Sequence, residues 1–283
     1  MIVVIFPAGA FGSTIEYSIR QFSNELTKIK AYVMENGSMH SYSKEWHPTT
    51  ISQFKNPANF TVEIATPTYP GLDYLSPLQT LIELKKIIPE NKKVIVIHMN
   101  TLEMAERTQL FAYHKIHSFL HSITKDKEKS WNSDYSSFTD MRKYELREAL
   151  SYYIDQQKNY LEIEKNIIKD WLYISADDIL YDFKDTICKI INYCGLTLNN
   201  SNSIDAFYTG WFAKQQYILE EFKRINDIIE AINNETYFEW VRLSIFGEAI
   251  IQSRLRKNNM EIACFNLDTF PTNTTDLQKV IIQ

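Results

Sequence analysis

The chain opens with a short apolar run, Ile2 to Phe6 (IVVIF), which is followed directly by residues 7–14 (PAGAFGST). Consecutive, mostly β-branched apolar residues are typical of a strand that is covered on both faces of a sheet. The stretch from Ser13 to Lys28 then predicts a helix. A strand, a loop containing Gly9 and Gly12, and a helix start form an arrangement that can hold an anion, because glycines permit a tight turn and the first amides of a helix have no intrahelical partner.

Further buried runs follow the first one and predict the rest of the sheet. They are TVEIA at 61–65, VIVIH at 94–98 and WLYIS at 171–175, with a last strand expected at 262–265. Helical stretches separate them, among them 78–88 and 101–122, and alternation of this kind predicts a parallel α/β sheet flanked by helices. No proline lies between Pro89 and Pro271, so the later chain is predicted to be largely helical, with helices at 176–193, 204–233 and 236–257.

The length of the chain suits one large domain. Its 283 residues can bury a substantial core. We expect a core over residues 1–200 and a helical extension over 201–283 that packs on it within a single compact domain.

Composition excludes several classes of protein. Lys and Arg number 30 against 35 Asp and Glu, for a net charge of −5, which argues against a protein that binds nucleic acid mainly by neutralising phosphates. No run reaches the length of a transmembrane helix, and the apolar start lacks a basic segment before it. Three cysteines without a close pair indicate no disulfide framework. We therefore expect a cytoplasmic protein without nucleic-acid or membrane partners.

A second element has the same arrangement as the first, a buried strand followed by a helix. The strand 94–98 ends at His98, and the helix after it carries Arg107 and Thr108. These groups predict a second anion contact at the tip of the strand. In the alternative interpretation, Arg107 pairs with Glu103 one turn earlier and His98 is a polar group satisfied within the core.

These two elements together resemble the sulfotransferases, which have a P-loop-like α/β fold and use 3′-phosphoadenosine 5′-phosphosulfate (PAPS). A third patch, residues 171–196, is similar to the family's strand, acidic turn and helix that ends at Gly-Leu. The resemblance implies that the first loop holds the 5′-phosphosulfate and that the second element holds the 3′-phosphate. The implied cofactor-binding residues are Gly9, Ala10, Phe11, Gly12, Ser13, Thr14, His98, Arg107 and Thr108.

The resemblance also implies a catalytic arrangement. The family has Lys or Arg at the loop position that is Ala10 here, where the cation stabilises charge as sulfate leaves. Arg20, or a residue from elsewhere in the chain, is expected to compensate. His47, in Trp-His-Pro, resembles the surroundings of the catalytic histidine of some sulfotransferases and is the expected general base. Carboxylates are alternative bases, and the acceptor is expected to be a small molecule or a carbohydrate with a hydroxyl or an amine.

A histidine stripe offers a different chemistry. His114, His117 and His121 share one helical face. Because no carboxylate motif accompanies them, they are interpreted as a polar stripe, and no metal is expected.

Two other functions remain open from the sequence. One is a P-loop nucleotide or small-molecule kinase, although the chain lacks the lysine of the GxxxxGK[ST] loop. The other is a catalytically inactive binding or assembly protein on the same fold, for which an exposed aromatic patch and a homo-oligomer are expected.

Overall fold

The structure is a computed structural model that describes residues 2–7, 10–28, 31–33, 39–41, 61–66, 77–99, 101–108, 110–111, 168–199, 201–234, 236, 243 and 245–257. The chain divides into two compact units. The first unit comprises residues 1–115 and 158–216, and the second comprises 116–157 and 217–283. The division at residue 200 that the sequence suggests stays a prediction.

A four-stranded parallel sheet forms the centre of the first unit. Its strands are β1 (Ile2–Pro7), β4 (Thr61–Thr66), β5 (Lys93–His98) and β6 (Leu172–Ser175), in the spatial order β4-β1-β5-β6. A separate antiparallel pair joins β2 (Ala31–Val33) to β3 (Met39–Ser41). The predicted α/β class with a parallel sheet is confirmed. The strand predicted at 262–265 lies outside the described residues.

The helices of the first unit alternate with the strands of its parallel sheet. α1 (Gly12–Phe22) follows β1, α2 (Pro77–Ile87) precedes β5, and residues 102–108 are helical after β5. β6 leads into α3 (Ala176–Tyr181), then α4 (Phe183–Cys194) and α5 (Ser201–Ala213). Helix α1 packs against β1, β4, α4 and α5, so the apolar residues of the first strand and helix lie in one core.

Several predicted helices end earlier or break where no glycine or proline lies. α1 ends at Phe22 because Ser23 is extended and forms a β-bridge with Leu198. The helix predicted over 176–193 is interrupted at Asp182, and the helix predicted over 204–233 turns at Lys214 and Gln215. At the second break, the amide of Lys214 and the side chain of Gln215 both donate to the carbonyl of Trp211. A contact with a distant segment therefore accompanies the end of α1, whereas the bonds at Lys214 and Gln215 stay within the preceding turn.

Two described helices lie in the second unit, α6 (Gln216–Asn233), which enters it at Tyr217, and α7 (Ile245–Lys257). The sequence predicts that the last helix begins at residue 236, whereas α7 begins at Ile245. Arg254 joins them: its Nη1 donates to Asn226 Oδ1 over 2.7 Å, and its guanidinium carbon lies 5.5 Å from the centre of the Phe222 ring. Among the described helices, none has both the length and the apolar character needed to cross a membrane.

Candidate functional site

The strand order creates a switch point between β1 and β5. From β1 the chain crosses to β4 on one side, whereas β5 lies on the other side of β1. The register pairs Ile5 with Val96, so the carboxyl ends of the two strands, Pro7 and His98, lie at the same level. In open parallel sheets, ligands bind beyond the carboxyl ends of the strands at such a point, because the two connections leave in opposite directions and open a crevice. The strands of both strand-to-helix elements that the sequence suggests, β1 and β5, end at this switch point.

The start of α1 has an unusual backbone. Phe11, the residue before the helix, has φ 64° and ψ 20°, in the left-handed region, and Gly12 begins the right-handed helix. A left-handed residue followed by a right-handed one turns successive N–H groups toward a common concavity, which is a recurrent anion-binding geometry. The first helical hydrogen bond runs from the amide of Ile15 to the carbonyl of Phe11 over 3.0 Å. Gly12, Ser13 and Thr14 precede Ile15 in the first turn, whose amides an α-helix leaves to acceptors outside its own ladder.

Side chains of the loop point mostly into the protein. Ala10 is fully buried, Phe11 is 4% exposed and Thr14 is 3% exposed. Ser13 is half-buried, so its hydroxyl is the one side-chain donor of the described loop residues that reaches the surface. Any contact of this loop with an anion therefore depends on backbone amides and Ser13 rather than on Ala10 or Thr14.

Arg20, which was expected to compensate for Ala10, binds within its own helix. Its Nε lies 2.8 Å from Glu16 Oε1, and the two side chains are 11% and 4% exposed. A buried carboxylate one turn away retains a guanidinium strongly, since separating the pair would leave a charge buried without its partner. The structure therefore assigns Arg20 to an ion pair within α1.

His98 lies at the tip of β5 and is 9% exposed. Its ring meets that of Tyr173 on the neighbouring strand edge-to-face, with centroids 6.1 Å apart. The histidine is thus at the switch point but is packed under the surface, and Thr108 on the following helix is also buried, at 2% exposure.

Arg107 forms an ion pair that the sequence did not predict. Its Nη2 contacts Oδ1 of Asp177, in the first turn of α3. The guanidinium carbon also lies 5.7 Å from the centre of the Tyr181 ring, one turn further along α3. Burial lowers the pKa of Arg107 below its usual value, although an arginine retains its charge at any ordinary pH. The group is therefore a fixed cation held by α3.

The turn that carries Asp177 is built by a capping box. Ser175 ends β6, and its hydroxyl accepts a hydrogen bond from the amide of Asp177, while Asp178 Oδ2 accepts one from the amide of Ser175. Such reciprocal bonds fix the start of a helix. The Ser-x-x-Asp spacing at 175–178 is the sequence signal from which this turn, and hence the position of Asp177, can be found.

Other predicted residues lie outside the described part of the chain. They are Gly9, the proposed base His47, and His114, His117 and His121 of the polar stripe. Within the described residues, no group of three or more His, Cys, Asp or Glu side chains is placed to hold a metal ion.

Two aromatic residues near the loop were missed by sequence reasoning. Phe111 and Trp211 contact the Phe11 ring, and Trp211 lies on α5. No local pattern links a residue in the first loop to one so distant in sequence. No protein-family model, curated protein or solved structure matches the chain, so the chemistry of the site follows from its own residues.

Proposed function

We propose that the first unit binds a phosphorylated nucleotide at the switch point between β1 and β5. The observation that carries this proposal is the backbone after β1, where Phe11 is in the left-handed region and Gly12 begins a right-handed helix. In this proposal, the consecutive amides of this turn face the ligand. Helix α1 adds partial positive charge at its first turn, and no acidic residue lies in that turn. These features favour an anion over a neutral ligand.

PAPS is the ligand that the sulfotransferase resemblance suggests. In this proposal, the amides of residues 12–14 and the hydroxyl of Ser13 hold the 5′-phosphosulfate. The 3′-phosphate lies near His98 and Arg107, the cation at the second strand-to-helix element. Sulfate then passes to a hydroxyl or amine of a small-molecule or carbohydrate acceptor, with His47 as the base.

A second candidate is nucleotide binding without transfer. Ala10 is fully buried and Arg20 is paired with Glu16, so neither residue provides a cation to the leaving oxygen. Cations contribute to transfer chiefly by stabilising charge that develops in the transition state, whereas backbone amides suffice for binding. This observation favours a binding or assembly role over the kinase alternative.

Substitutions at Ser13 separate binding from stability. In Ser13→Asp, a carboxylate in the first turn favours the helix dipole but repels a bound anion. The side chain of Ser13→Asn has nearly the same size as that of Ser13→Asp but carries no charge. We expect calorimetry with 3′-phosphoadenosine 5′-phosphate (PAP) to show at least about tenfold weaker binding for Ser13→Asp, and binding within about threefold of wild type for Ser13→Asn.

The outcomes distinguish the candidates. Equal PAP affinity in both variants and wild type, or no PAP binding by wild type, would refute an anion site at the start of α1. Tighter binding of ATP with Mg²⁺ than of PAP would favour a kinase. PAP binding with no transfer of sulfate from PAPS to any phenolic, sugar or amine acceptor would favour the binding role.

A further inference from the structure

A column of aromatic rings connects the core of the first unit to its surface. Trp211, which is 3% exposed, packs on Phe183 with the ring centroids 5.7 Å apart. The Phe183 ring stacks on Tyr208 at 5.4 Å and an interplanar angle of 16°, and Tyr208 stacks on Phe212 at 5.2 Å and 30°. The column reaches the surface at Tyr181, whose ring centroid lies 6.5 Å from that of Phe212. Each ring is therefore supported by the ring beneath it.

Tyr181 is exposed but held in place. Among the residues whose side chains the structure describes, it is the most exposed large apolar residue, at 51%. The guanidinium carbon of Arg107 lies over its ring, 5.7 Å from the centroid, within the range of a cation–π contact. The hydroxyl of Tyr208 donates to the carbonyl of Leu180, the residue before Tyr181, over 2.7 Å. A ring that is already fixed loses little conformational entropy when a ligand covers its exposed part.

The ring lies near the edge of the sheet at which ligands act. β6 ends at Ser175, which pairs with His98 at the end of β5. α3 begins at the next residue and is six residues long, so Tyr181 is less than two helical turns from the carboxyl end of β6. Ligands of open parallel sheets bind beyond the carboxyl ends of the strands. A molecule bound at this edge is therefore within reach of the Tyr181 ring.

The charges beside Tyr181 favour a neutral ligand that donates hydrogen bonds. Asp177, one turn earlier, is 37% exposed, and its Oδ1 contacts Nη2 of Arg107. Asp178 and the exposed Asp182 lie on the same short segment, and these carboxylates disfavour an anionic group beside the ring. Arg107 already lies where a cationic group would meet the ring. Ionised carboxylates only accept hydrogen bonds, so hydroxyl groups suit them as partners.

We propose that Tyr181 is the stacking platform for a neutral sugar ring, whose hydroxyls donate hydrogen bonds to Asp177. One face of a pyranose carries axial C–H groups and is apolar enough to pack on an aromatic ring, while its hydroxyls point outward to polar groups. The inference rests on the proposed function in one respect, which is that the sugar is the acceptor molecule of that site. Phe212 and Tyr208 support the platform without touching the sugar.

Saturation-transfer NMR with neutral trisaccharides tests the platform. Cellotriose, maltotriose and triacetylchitotriose are titrated into wild type, Tyr181→Ala, Tyr181→Phe and Asp177→Asn. Tyr217→Ala is the matched control, because Tyr217 is 41% exposed and belongs to the second unit. Urea unfolding establishes that each variant is folded. If Tyr181→Ala does not fold, Tyr181→Leu takes its place, since it retains apolar volume but has no aromatic face.

The proposal predicts a specific pattern. At least one trisaccharide binds wild type, and saturation is strongest at the axial protons of one sugar face. Tyr181→Ala weakens its binding at least about tenfold, because the ring supplies both apolar area and a flat surface. Asp177→Asn weakens it at least about threefold, because a charged acceptor becomes a neutral one. Tyr181→Phe and Tyr217→Ala bind within about threefold of wild type, which is less than 1 kcal/mol.

Failure of the inference and failure of the proposed function give different results. If wild type binds none of the three sugars, or if folded Tyr181→Ala binds them as wild type does, the platform is overturned. Tyr181→Ala that loses affinity for PAP and not for the sugar would assign the ring to the nucleotide base and overturn the inference as well. Sugar binding without PAP binding by wild type would support the platform and reject the nucleotide site, whereas PAP binding without sugar binding would do the reverse.

Discussion

At the scale of single residues, glycine has different roles at different positions. Gly12 lies against the Phe6 ring with no room for a side chain, whereas a Cβ added to Gly210 in α5 meets nothing within 4 Å. Gly195 has φ 69° and ends α4 in the left-handed conformation, as expected of a glycine that follows a helix. Among the described glycines, Gly12 is thus required by close packing and Gly195 by its backbone conformation.

Replacing Gly12 with alanine should destabilise the protein. The added methyl group would overlap the Phe6 ring, and overpacking of this kind costs about 1–3 kcal/mol. Gly210→Ala is the control, because it adds the same atoms in open space and should stabilise the helix by about 0.5–1 kcal/mol. Denaturant unfolding of both variants measures the difference. Equal stability of the two variants would contradict the close contact between Gly12 and Phe6.

Removal of the Asp177 carboxylate should also destabilise the protein. Asp177→Asn removes the carboxylate that contacts the mostly buried Arg107, and removing one partner of a buried polar group costs about 1–3 kcal/mol. We expect a loss in the lower half of that range. The Asp177 side chain is 37% exposed, so water can replace part of its interaction with Arg107 in the variant. Asp185→Asn, at an exposed position of α4, controls for the change of charge. Equal midpoints in urea for both variants would contradict a stabilising ion pair.

At the scale of elements, side chains join helix ends to neighbouring strands and loops. Lys28 Nζ donates to the carbonyls of Arg20, Gln21 and Ser23 at the end of α1. The Tyr193 hydroxyl on α4 accepts from the amide of Val94 and donates to the carbonyl of Asp170. These bonds satisfy backbone groups that the ends of helices and strands leave open.

Tyr193→Phe removes the second of these connections without changing the ring. The amide of Val94 and the carbonyl of Asp170 then lose a partner, and we expect a loss of about 1–2 kcal/mol in the free energy of unfolding. Tyr181→Phe, at a ring that is 51% exposed, should change stability by no more than about 0.5 kcal/mol. Chemical denaturation tests both, and a neutral Tyr193→Phe would show that the hydroxyl is dispensable.

A pH-dependent contact joins the end of α1 to the segment after α4. Hydrogen bonds from the side chain and then the amide of Thr197 lower the pKa of Glu25 below its ordinary value of 4.5. A lowered pKa in the folded state means that the contribution of Glu25 is present above the ordinary value and is lost as pH falls through the lower, folded value. The stability difference between wild type and Glu25→Gln should therefore shrink below about pH 4.5.

Thermal unfolding of both proteins between about pH 7 and about pH 3 measures this difference. Glu90→Gln, which removes an exposed carboxyl from the same unit, controls for the general effect of charge. A difference between wild type and Glu25→Gln that stays constant over this range would exclude the Thr197 contact as its source.

At the scale of the whole molecule, the strand order determines where a ligand would act. Residues of β1 and β5 that are distant in sequence end side by side only because β5 lies next to β1 rather than next to β4. The two compact units divide the chain so that this edge of the sheet belongs entirely to the first of them.

Ligand binding should therefore protect one unit selectively. With PAP at about 100 times its dissociation constant, the stability of the bound unit rises by about 2.7 kcal/mol. Hydrogen exchange followed by mass spectrometry should slow in peptides that contain the start of α1 and the end of β5. Peptides from α6 and α7 serve as the internal reference, and protection confined to them would place the ligand elsewhere.

Much of the sheet and part of the site were predictable from sequence. Buried parallel strands form nearly continuous apolar runs, so β1, β4, β5 and β6 agree with the predicted strands to within a residue at each end. Helix breaks at Asp182 and Gln215 were not predictable, because neither position has a glycine or a proline beside it. The ion pair of Arg107 was assigned to Glu103 or to an anion, since only local spacing was available.

By itself, the sequence determined the class of fold, the alternation of strands and helices, and the presence of a glycine-containing loop before α1. These properties depend on local apolar patterns and on the intrinsic preferences of glycine and proline, which act over a few residues. Only the tertiary structure decided that β5 lies beside β1, that Asp177 binds Arg107, and that Trp211 encloses Phe11. Such contacts join residues that are far apart in the chain, and their stability depends on burial and geometry that no short pattern encodes.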